Sequence, residues 1–436
     1  MINRIVIELA SEHLTPEEVD EVVWSAHRRD EAQSVEVLAR MAGVPLALIA
    51  EKVAQYASIP SDGEEEEGGP GAPEGTIVAL IRRFVSDRVD FIRIAKRALT
   101  IADLSWVLER AIGADEAPGF VGGKAAGMLL SYAILRDEGC CGTVRMPDTS
   151  FLLTDSYDTF KSHNGLDHLQ DHKYKSIEEV RADFPAIREI FRNAEFPPLI
   201  VDLLRADLDR WGRRPLIVRS SSLLEDSFGA AFSGIYRSIF LRNQGSLEER
   251  LHDLLGAISE IYAGVFGPDA ISYRGRRDLL DHDERMGIMI QPVVGSRHGR
   301  FFLPALAGVA FSRNDYRWSD RIRREDGLVR LVLGLGTHAV DRVGDYARMV
   351  PLSAPTMRPE GTAEEIIGTS QKQVDVVDME AAGFRAVPVA EVLEAMRETG
   401  TADFVSIIDE DGALTTPVGT LVDVPSDRVC LTLTAS

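Results

Sequence analysis

Pro215-Leu216-Ile217-Val218-Arg219-Ser220-Ser221-Ser222-Leu223-Leu224-Glu225-Asp226 runs from an apolar segment into an arginine, three serines and two carboxylates. A short run of this kind reads as a buried strand, expected over 216–219, whose end presents a guanidinium fork and hydroxyls to phosphate oxygens. Directly after it, Ser227-Phe228-Gly229-Ala230-Ala231-Phe232-Ser233-Gly234 consists largely of small residues. Such a loop can close its backbone over phosphates; a simple hairpin turn is the other reading of the same residues.

Around this centre, from about residue 118, short apolar runs alternate with helical patterns and glycine-rich turns, as in a mixed α/β (α+β) region. Further strands are expected over 235–241, 287–294, 306–312 and 329–333, and helices over 125–138 and 247–266. No repeat of fixed period is evident. Upstream, Gly122-Gly123-Lys124 precedes Ala125-Ala126-Gly127-Met128-Leu129-Leu130, so a glycine turn delivers a lysine to a helix N-terminus. Backbone N–H groups, the positive helix end and the ammonium can converge there on a phosphate. By itself such a turn also serves merely to start a surface helix, and it is not a Walker A loop, which needs G-x-x-x-x-G-K-[ST]. Downstream, Met289-Ile290-Gln291-Pro292-Val293-Val294 leaves a strand through a proline, a way to expose backbone groups to an adenine edge. Gly308-Val309-Ala310-Phe311-Ser312-Arg313-Asn314 and Gly334-Leu335-Gly336-Thr337 are again apolar runs ending in small polar residues.

The chain has 436 residues, 45% of them hydrophobic, enough for a sizeable core and roughly three domains. Its 48 basic and 69 acidic residues give a net charge of -21, which argues against binding nucleic acid or anionic membrane through a global basic field. An anionic ligand must be held by a local site. Three cysteines, Cys140, Cys141 and Cys430, supply neither a disulfide framework nor zinc-ligand spacing, and point to a reducing, cytoplasmic home. No run approaches 18 consecutive apolar residues, and the N-terminus lacks a signal-peptide pattern, so the expectation is a chain neither secreted nor membrane-spanning.

The first sixty residues read as helices. Thr15-Pro16-Glu17-Glu18 offers an N-cap, a proline at N1 and a glutamate at N3, and a second helix is expected through Val35, Leu38, Ala39 and Met41 to Gly43. Residues 61–76, with four consecutive glutamates among glycines and prolines, read as a flexible linker. Residues 77–117 form a helical connector, with Ile81, Phe84, Val85 and Val89 assigned to one face. Deleting residues 1–75 is expected to leave the nucleotide site folded, because the linker separates two independently patterned regions.

In this order the motifs resemble those of the N-terminal ATP-grasp half of phosphoenolpyruvate synthase and pyruvate, phosphate dikinase. The matching stretch runs from about Gly119 to Pro355 and includes Gly122-Gly123-Lys124, the Ile217–Asp226 segment, Ala231-Phe232-Ser233-Gly234, Ile271-Ser272-Tyr273-Arg274, the Gln291 segment, the Gly308–Asn314 segment and Gly334-Leu335-Gly336. The resemblance implies an ATP-grasp nucleotide-binding fold, ATP and Mg2+ as cofactors, and Lys124 and Arg219 as the groups that hold ATP phosphates. It further implies nucleotide contacts from Gly122, Gly123, Ser220, Ser221, Glu225, Asp226, Gly229, Gly234, Gln291, Val293, Ser312, Asn314 and Gly336, with 227–234 as a lid and Gln291 and Val293 in the adenine hinge. Members of the family transfer phosphate from ATP to a histidine on a swivelling domain, and from there to pyruvate in a separate barrel. The phosphohistidine and pyruvate-binding domains are expected on a missing C-terminal part or another chain, so the isolated chain is not expected to complete the reaction.

Two positions depart from the family pattern. Thr337-His338 follows Gly-Leu-Gly where a glutamate is common, and Ser406 and Val418 stand where the last strands of relatives carry a magnesium-binding Glu and Gln. Either 403–414 is an earlier hairpin and the chain stops before the metal ligands, or the metal site is degenerate; truncation is the favoured expectation. A phosphoacceptor role for His338 is disfavoured, and His168 and His172, at i and i+4, are read as an exposed polar face rather than metal ligands. The alternative to an enzyme half is a catalytically incomplete nucleotide-sensing or regulatory module.

Overall fold

The computed structural model describes residues 13–59, 74–113, 119–225, 234–340, 348–381, 383–396, 404–417, 424–425 and 428–433. The chain divides into two compact units, the first formed by Met1–Gly212, Ile217–Ile239 and Ser246–Gln291, the second by Arg213–Leu216, Phe240–Gly245 and Pro292–Ser436. The region read from sequence as a single body, 118–436, is thus apportioned to both.

In the first unit the helix Pro16–Arg40 opens with the expected capping box: Glu18 N donates to Thr15 Oγ1 (3.2 Å) and Thr15 N to Glu18 Oε2 (2.7 Å). The second helix expected from Val35 is the continuation of this one, because no glycine or proline interrupts residues 17–40. The helix Leu46–Ala57 buries Leu46, Ile49, Val53 and Tyr56. Glu74–Leu80 runs into one π turn, Ile81–Val85, and is followed by helices Val89–Ala98 and Ile101–Leu108. Ile81, Phe84 and Val85 are buried as expected, whereas Val89 is 79% exposed, since the chain is irregular over 86–88 and the new helix starts in a different phase.

These helices share their core with the sheet-forming region. One apolar core runs from Ala32, Val35, Ile49, Val53 and Tyr56 through Leu80, Ile81, Phe84 and Leu104 to Val121, Leu129, Phe151 and Met289. Thr76 Oγ1 donates to Ala32 O (3.1 Å), so the end of the span read as linker belongs to this core; its residues 61–73 lie outside the described residues. The separation of 1–60 from the later region is therefore corrected: apolar positions on both sides of the acidic stretch are buried against one another.

The first unit's five-stranded sheet is ordered β1 (Ala111–Ile112), β2 (Ser150–Leu152), β5 (Met286–Pro292), β3 (Leu216–Ser222), β4 (Ser238–Leu241). β1 and β2 are parallel, β2 and β5 antiparallel. β5 is buried along its whole length, which explains its continuous apolar sequence. Helices Gly123–Asp137 and Leu247–Gly264 fall at the expected places, the latter behind a Ser246–Glu249 capping box. The run Leu247–Gly275 is long and apolar enough to cross a membrane by length and composition alone, and 67% of its window is buried inside the fold. Its Tyr262 packs edge-on against Tyr157 at 5.0 Å between ring centroids, within a cluster that includes Phe160 and Phe196.

The second unit holds an antiparallel sheet β10-β9-β8 (Arg348–Pro351, Leu328–Val332, Ala307–Phe311) and a sheet β12-β11-β7-β6 (Gly383–Pro388, Gln373–Asp378, Phe301–Leu303, Ser296–His298). A third sheet, β14-β13-β15, joins Leu414–Thr415, Val405–Ile408 and Val429–Leu431. The expected hairpin after residue 403 is thus β13 and β14, and Ser406 within it is buried with its Oγ 2.7 Å from Thr432 Oγ1. Val418 and residues 434–436 lie outside the described residues.

Candidate functional site

The site forms where the Gly122-Gly123-Lys124 turn meets the end of β3. Gly122 adopts φ 85° and ψ 168°, a region open in practice only to glycine, and a Cβ there would stand 2.5 Å from the Ser221 carbonyl carbon and Oγ, nearer still to its carbonyl oxygen. At Gly123 a Cβ would lie 2.9 Å from the Glu225 carbonyl carbon. Both glycines are therefore dictated by close backbone approach. The preceding residues are pinned as well: Gly119 N donates to Asp155 Oδ1 (2.9 Å), Phe120 N to Thr154 Oγ1 (3.0 Å) and Val121 N to Phe84 O (2.8 Å).

This turn starts the helix Gly123–Asp137, and β3 supplies its cap. Ala125 N donates to Ser221 Oγ (3.1 Å), while Ala126 N makes the first helical bond, to Gly122 O (2.9 Å). Lys124 Nζ donates to Ser220 Oγ (3.2 Å) and pairs with Glu225 Oε1 (3.1 Å). Glu225 is 2% exposed and fully engaged: Ser220 Oγ donates to its Oε1 (2.9 Å) and Ser222 N to its Oε2 (2.9 Å). Six of the expected positions, Gly122, Gly123, Lys124, Ser220, Ser221 and Glu225, are thus brought together. An ammonium has three N–H groups, and the two acceptors found among the described residues leave one for an anion at the helix end. Arg219 is half-buried one residue before Ser220, so strand alternation places it on the face of Ile217 and Ser221 rather than with Ser220.

A second carboxylate enters from a distant part of the sequence. Ser222 Oγ donates to Glu284 Oε1 and accepts from Leu224 N (3.0 Å). Burial pushes the Glu284 carboxyl up to about 7; the Ser222 hydroxyl, Arg274 and the Tyr236 hydroxyl pull it down, and Glu225 adds to the rise. Arg274 is itself buried, its Nη2 donating to Val265 O (2.6 Å). Sequence reading assigned Glu284 and Arg274 no role. Arg274 had a signal in the Tyr273-Arg274 pair; Glu284, in a polar stretch, had none.

Gln291 is buried, and its Nε2 donates to Thr149 Oγ1 (2.9 Å), tying β5 to the residue before β2. Asp226 and Gly229 lie outside the described residues; Gly234 has φ 80° with open space where a Cβ would stand.

The remaining expected positions belong to the second unit. Val293, expected in the adenine hinge, has its N–H donating to Pro215 O (2.8 Å). Ser312 is exposed just past β8, and Asn314 is buried, its N donating to Arg324 O (2.7 Å) and its Oδ1 accepting from Tyr316 N (3.0 Å). Gly336 precedes the turn Thr337–Val340, where Thr337 Oγ1 donates to Asp375 Oδ2. A carboxylate from β11 thus stands beside Thr337, the position where the family resemblance led a glutamate to be expected. Among the described residues no group of three or more His, Cys, Asp or Glu is placed to hold a metal ion. His168 is exposed with Nδ1 2.8 Å from Gly165 O, as expected, but His172 is buried, its ring 6.4 Å from that of Phe266. Burial, with Lys175 acting in the same direction, holds its pKa below the usual histidine value.

A glycine turn set against a serine-rich strand end, with a lysine fixed at a helix N-terminus in an α/β sheet, defines a nucleotide-binding class of fold. Residues 119–398 match the pyruvate phosphate dikinase AMP/ATP-binding domain, and the chain belongs to that family. It is 32% identical over 127 residues to the uncharacterized phosphotransferase YvkC of Bacillus subtilis (strain 168), covering 29% of this chain and 13% of that protein. It is 27% identical over 148 residues to the rifampicin phosphotransferase of a Streptomyces species, covering 34% of this chain and 16% of that protein. The matched stretch spans less than a fifth of either relative.

Proposed function

We propose that this chain is the ATP-binding half of a phosphoenolpyruvate synthase-like phosphotransferase with an ATP-grasp fold, passing a phosphoryl group from ATP to a histidine on a separate swivelling domain. The observation that carries the reading is the Lys124 ammonium, held at a helix N-terminus by Ser220 and the buried Glu225. In phosphoryl transfer the nucleotide domain contributes positioning and charge stabilisation rather than covalent chemistry. Lys124 and the turn amides would orient the phosphates, with Arg219 supplying a second cation from the same strand. Magnesium, when bound with ATP, would neutralise phosphate charge; no residue is assigned to hold it. The three cysteines and the net charge fit the cytoplasm as the place of work.

The test is titration with ATP, with and without magnesium, of the parent, Lys124→Ala and Arg219→Ala. Each substitution is expected to weaken binding by about 1 to 3 kcal/mol, the scale of a lost charge-assisted contact, without unfolding the chain. Unchanged affinity in both removes the phosphate assignment. A nucleotide-sensing module is the second reading, favoured by Ser406, which is buried and bonded to Thr432 at the position where the resemblance led a metal-binding glutamate to be expected. ATP binding that ignores magnesium would support it.

A further inference from the structure

The Lys124 cluster is linked to a group outside the motifs read from the sequence. Ser222 has two duties: its amide holds Glu225 Oε2 (2.9 Å), and its hydroxyl is held by Glu284 Oε1. Glu225 in turn fixes the Lys124 ammonium (3.1 Å) and the Ser220 hydroxyl (2.9 Å). A continuous path of hydrogen bonds therefore leads from Lys124 through Glu225 and Ser222 to Glu284, and every member after Lys124 is buried. Leu223 N adds a second tie to the same segment, donating to Arg285 O (3.3 Å) beside Glu284.

We propose that Glu284 is a positioning residue of the nucleotide site, holding the end of β3 so that Glu225 and Lys124 keep their places, and that it takes up a proton when an anionic nucleotide binds. The inference rests on the nucleotide reading given above. Two carboxylates flank Ser222, and a triphosphate beside Lys124 brings further negative charge. Ionised Glu284 is therefore disfavoured once the nucleotide arrives, while its neutral form still bonds the Ser222 hydroxyl. The charged and titratable groups around it are Glu225 at the strand end, Arg274 on the helix Pro268–Gly275, Tyr236 ahead of β4, Tyr157 on the helix Thr154–His163, and the adjoining Arg285 with its partner Asp158. Among the described residues Arg274 is the cation that bears directly on Glu284, and its guanidinium is already bonded to the Val265 and Ala270 carbonyls. With its ordinary value raised to about 7, the carboxyl is poised to change state near neutrality.

The experiment is calorimetric titration of the full chain with ATP between pH 6 and 8, in buffers of differing ionisation enthalpy, for the parent, Glu284→Gln, Glu284→Ala and Lys124→Ala. The parent should take up more protons on binding than Glu284→Gln, and its affinity should fall by about fivefold more between pH 6 and 8, the part of a one-unit shift's roughly tenfold effect that this range captures. ATP's own protonation is common to both proteins and cancels in the comparison. Glu284→Gln, which keeps an acceptor for Ser222, should bind with near-parent affinity at pH 6, whereas Glu284→Ala should bind more weakly at every pH. Identical proton uptake and pH profiles in parent and Glu284→Gln, with binding still lost in Lys124→Ala, would overturn this inference and leave the nucleotide reading standing. No ATP binding by the parent would overturn both.

Discussion

Gly122→Ala is the substitution on which the geometry makes its strongest demand. The added methyl would stand 2.5 Å from the Ser221 carbonyl carbon and Oγ, whereas ordinary contact begins near 3.4 Å, so the turn must retreat from β3 by roughly an ångström or more. At φ 85° and ψ 168° alanine carries a backbone cost of about 1 to 3 kcal/mol. The retreat also strips the Ala125 amide from Ser221 Oγ (3.1 Å), worth about 1 kcal/mol, and loosens the Lys124–Glu225 pair, whose charge-assisted bonds are worth about 1.5 to 3 kcal/mol. These terms are not additive, and a loss of about 4 kcal/mol is expected. Gly127→Ala supplies the contrast: it lies in the same helix with nothing within 4 Å of its added Cβ, and should be neutral or stabilising by about 0.5 to 1 kcal/mol. Denaturant unfolding followed by tryptophan fluorescence reports mainly on the first unit, which contains Trp24, Trp106 and Trp211. If Gly122→Ala unfolds within about 0.5 kcal/mol of the parent, or Gly127→Ala is equally damaging, the close approach of turn and strand is refuted.

The core and Glu284 each set a further expected outcome. Removing residues 1–73 strips Ala32, Val35, Ile49, Val53 and Tyr56 from a shared core, and at about 1.5 to 3 kcal/mol per buried large side chain the remainder should lose cooperative unfolding or aggregate; a soluble deletion protein with the parent's denaturation midpoint would show the core to be divisible. Because the Glu284 carboxyl is raised from 4.5 to about 7, the folded state binds its proton more tightly than the unfolded chain, so stability should fall as pH rises from 4.5 through 7. The full difference is about 3 kcal/mol, and Glu284→Gln should flatten that part of the stability profile; parallel profiles for the two proteins would contradict it.

What the sequence made legible were features carried by local pattern. The Thr15–Glu18 cap, the Gly-Gly-Lys turn and the strands around Val218 and Ile290 each declare themselves through residues adjacent in the chain. Helix phase was less accessible: Val89 fits an apolar stripe until the break at 86–88 resets the rotation. The acidic stretch invited a domain boundary, yet the apolar residues on either side meet in space, because linker composition says nothing about what the flanking helices pack against. Within the site, Lys124, Ser220, Ser221 and Glu225 were legible from two short motifs, but not their mutual bonds. Glu284 was invisible because its partner Ser222 is 62 residues away.

The charge arrangement around Lys124 bears on how a chain of net charge -21 can hold a triphosphate. Glu225 fixes the ammonium but cancels its net charge, so attraction for an anion comes from direction rather than from excess charge: the third N–H, the amides at the start of the Gly123–Asp137 helix, and the positive end of its dipole. An ammonium left to swing on its four-carbon stem would lose about 2 kcal/mol of rotamer freedom when a ligand ordered it. The Glu225 and Ser220 bonds meet that cost before the nucleotide arrives. On the proposed reading, neutralising the triphosphate would then fall to charge from outside the pair, from Arg219 at the neighbouring strand position and from the cation that accompanies ATP. Glu284 adds to the same logic, since a buried carboxyl that can shed its charge lets negative phosphate approach a strand end already carrying Glu225.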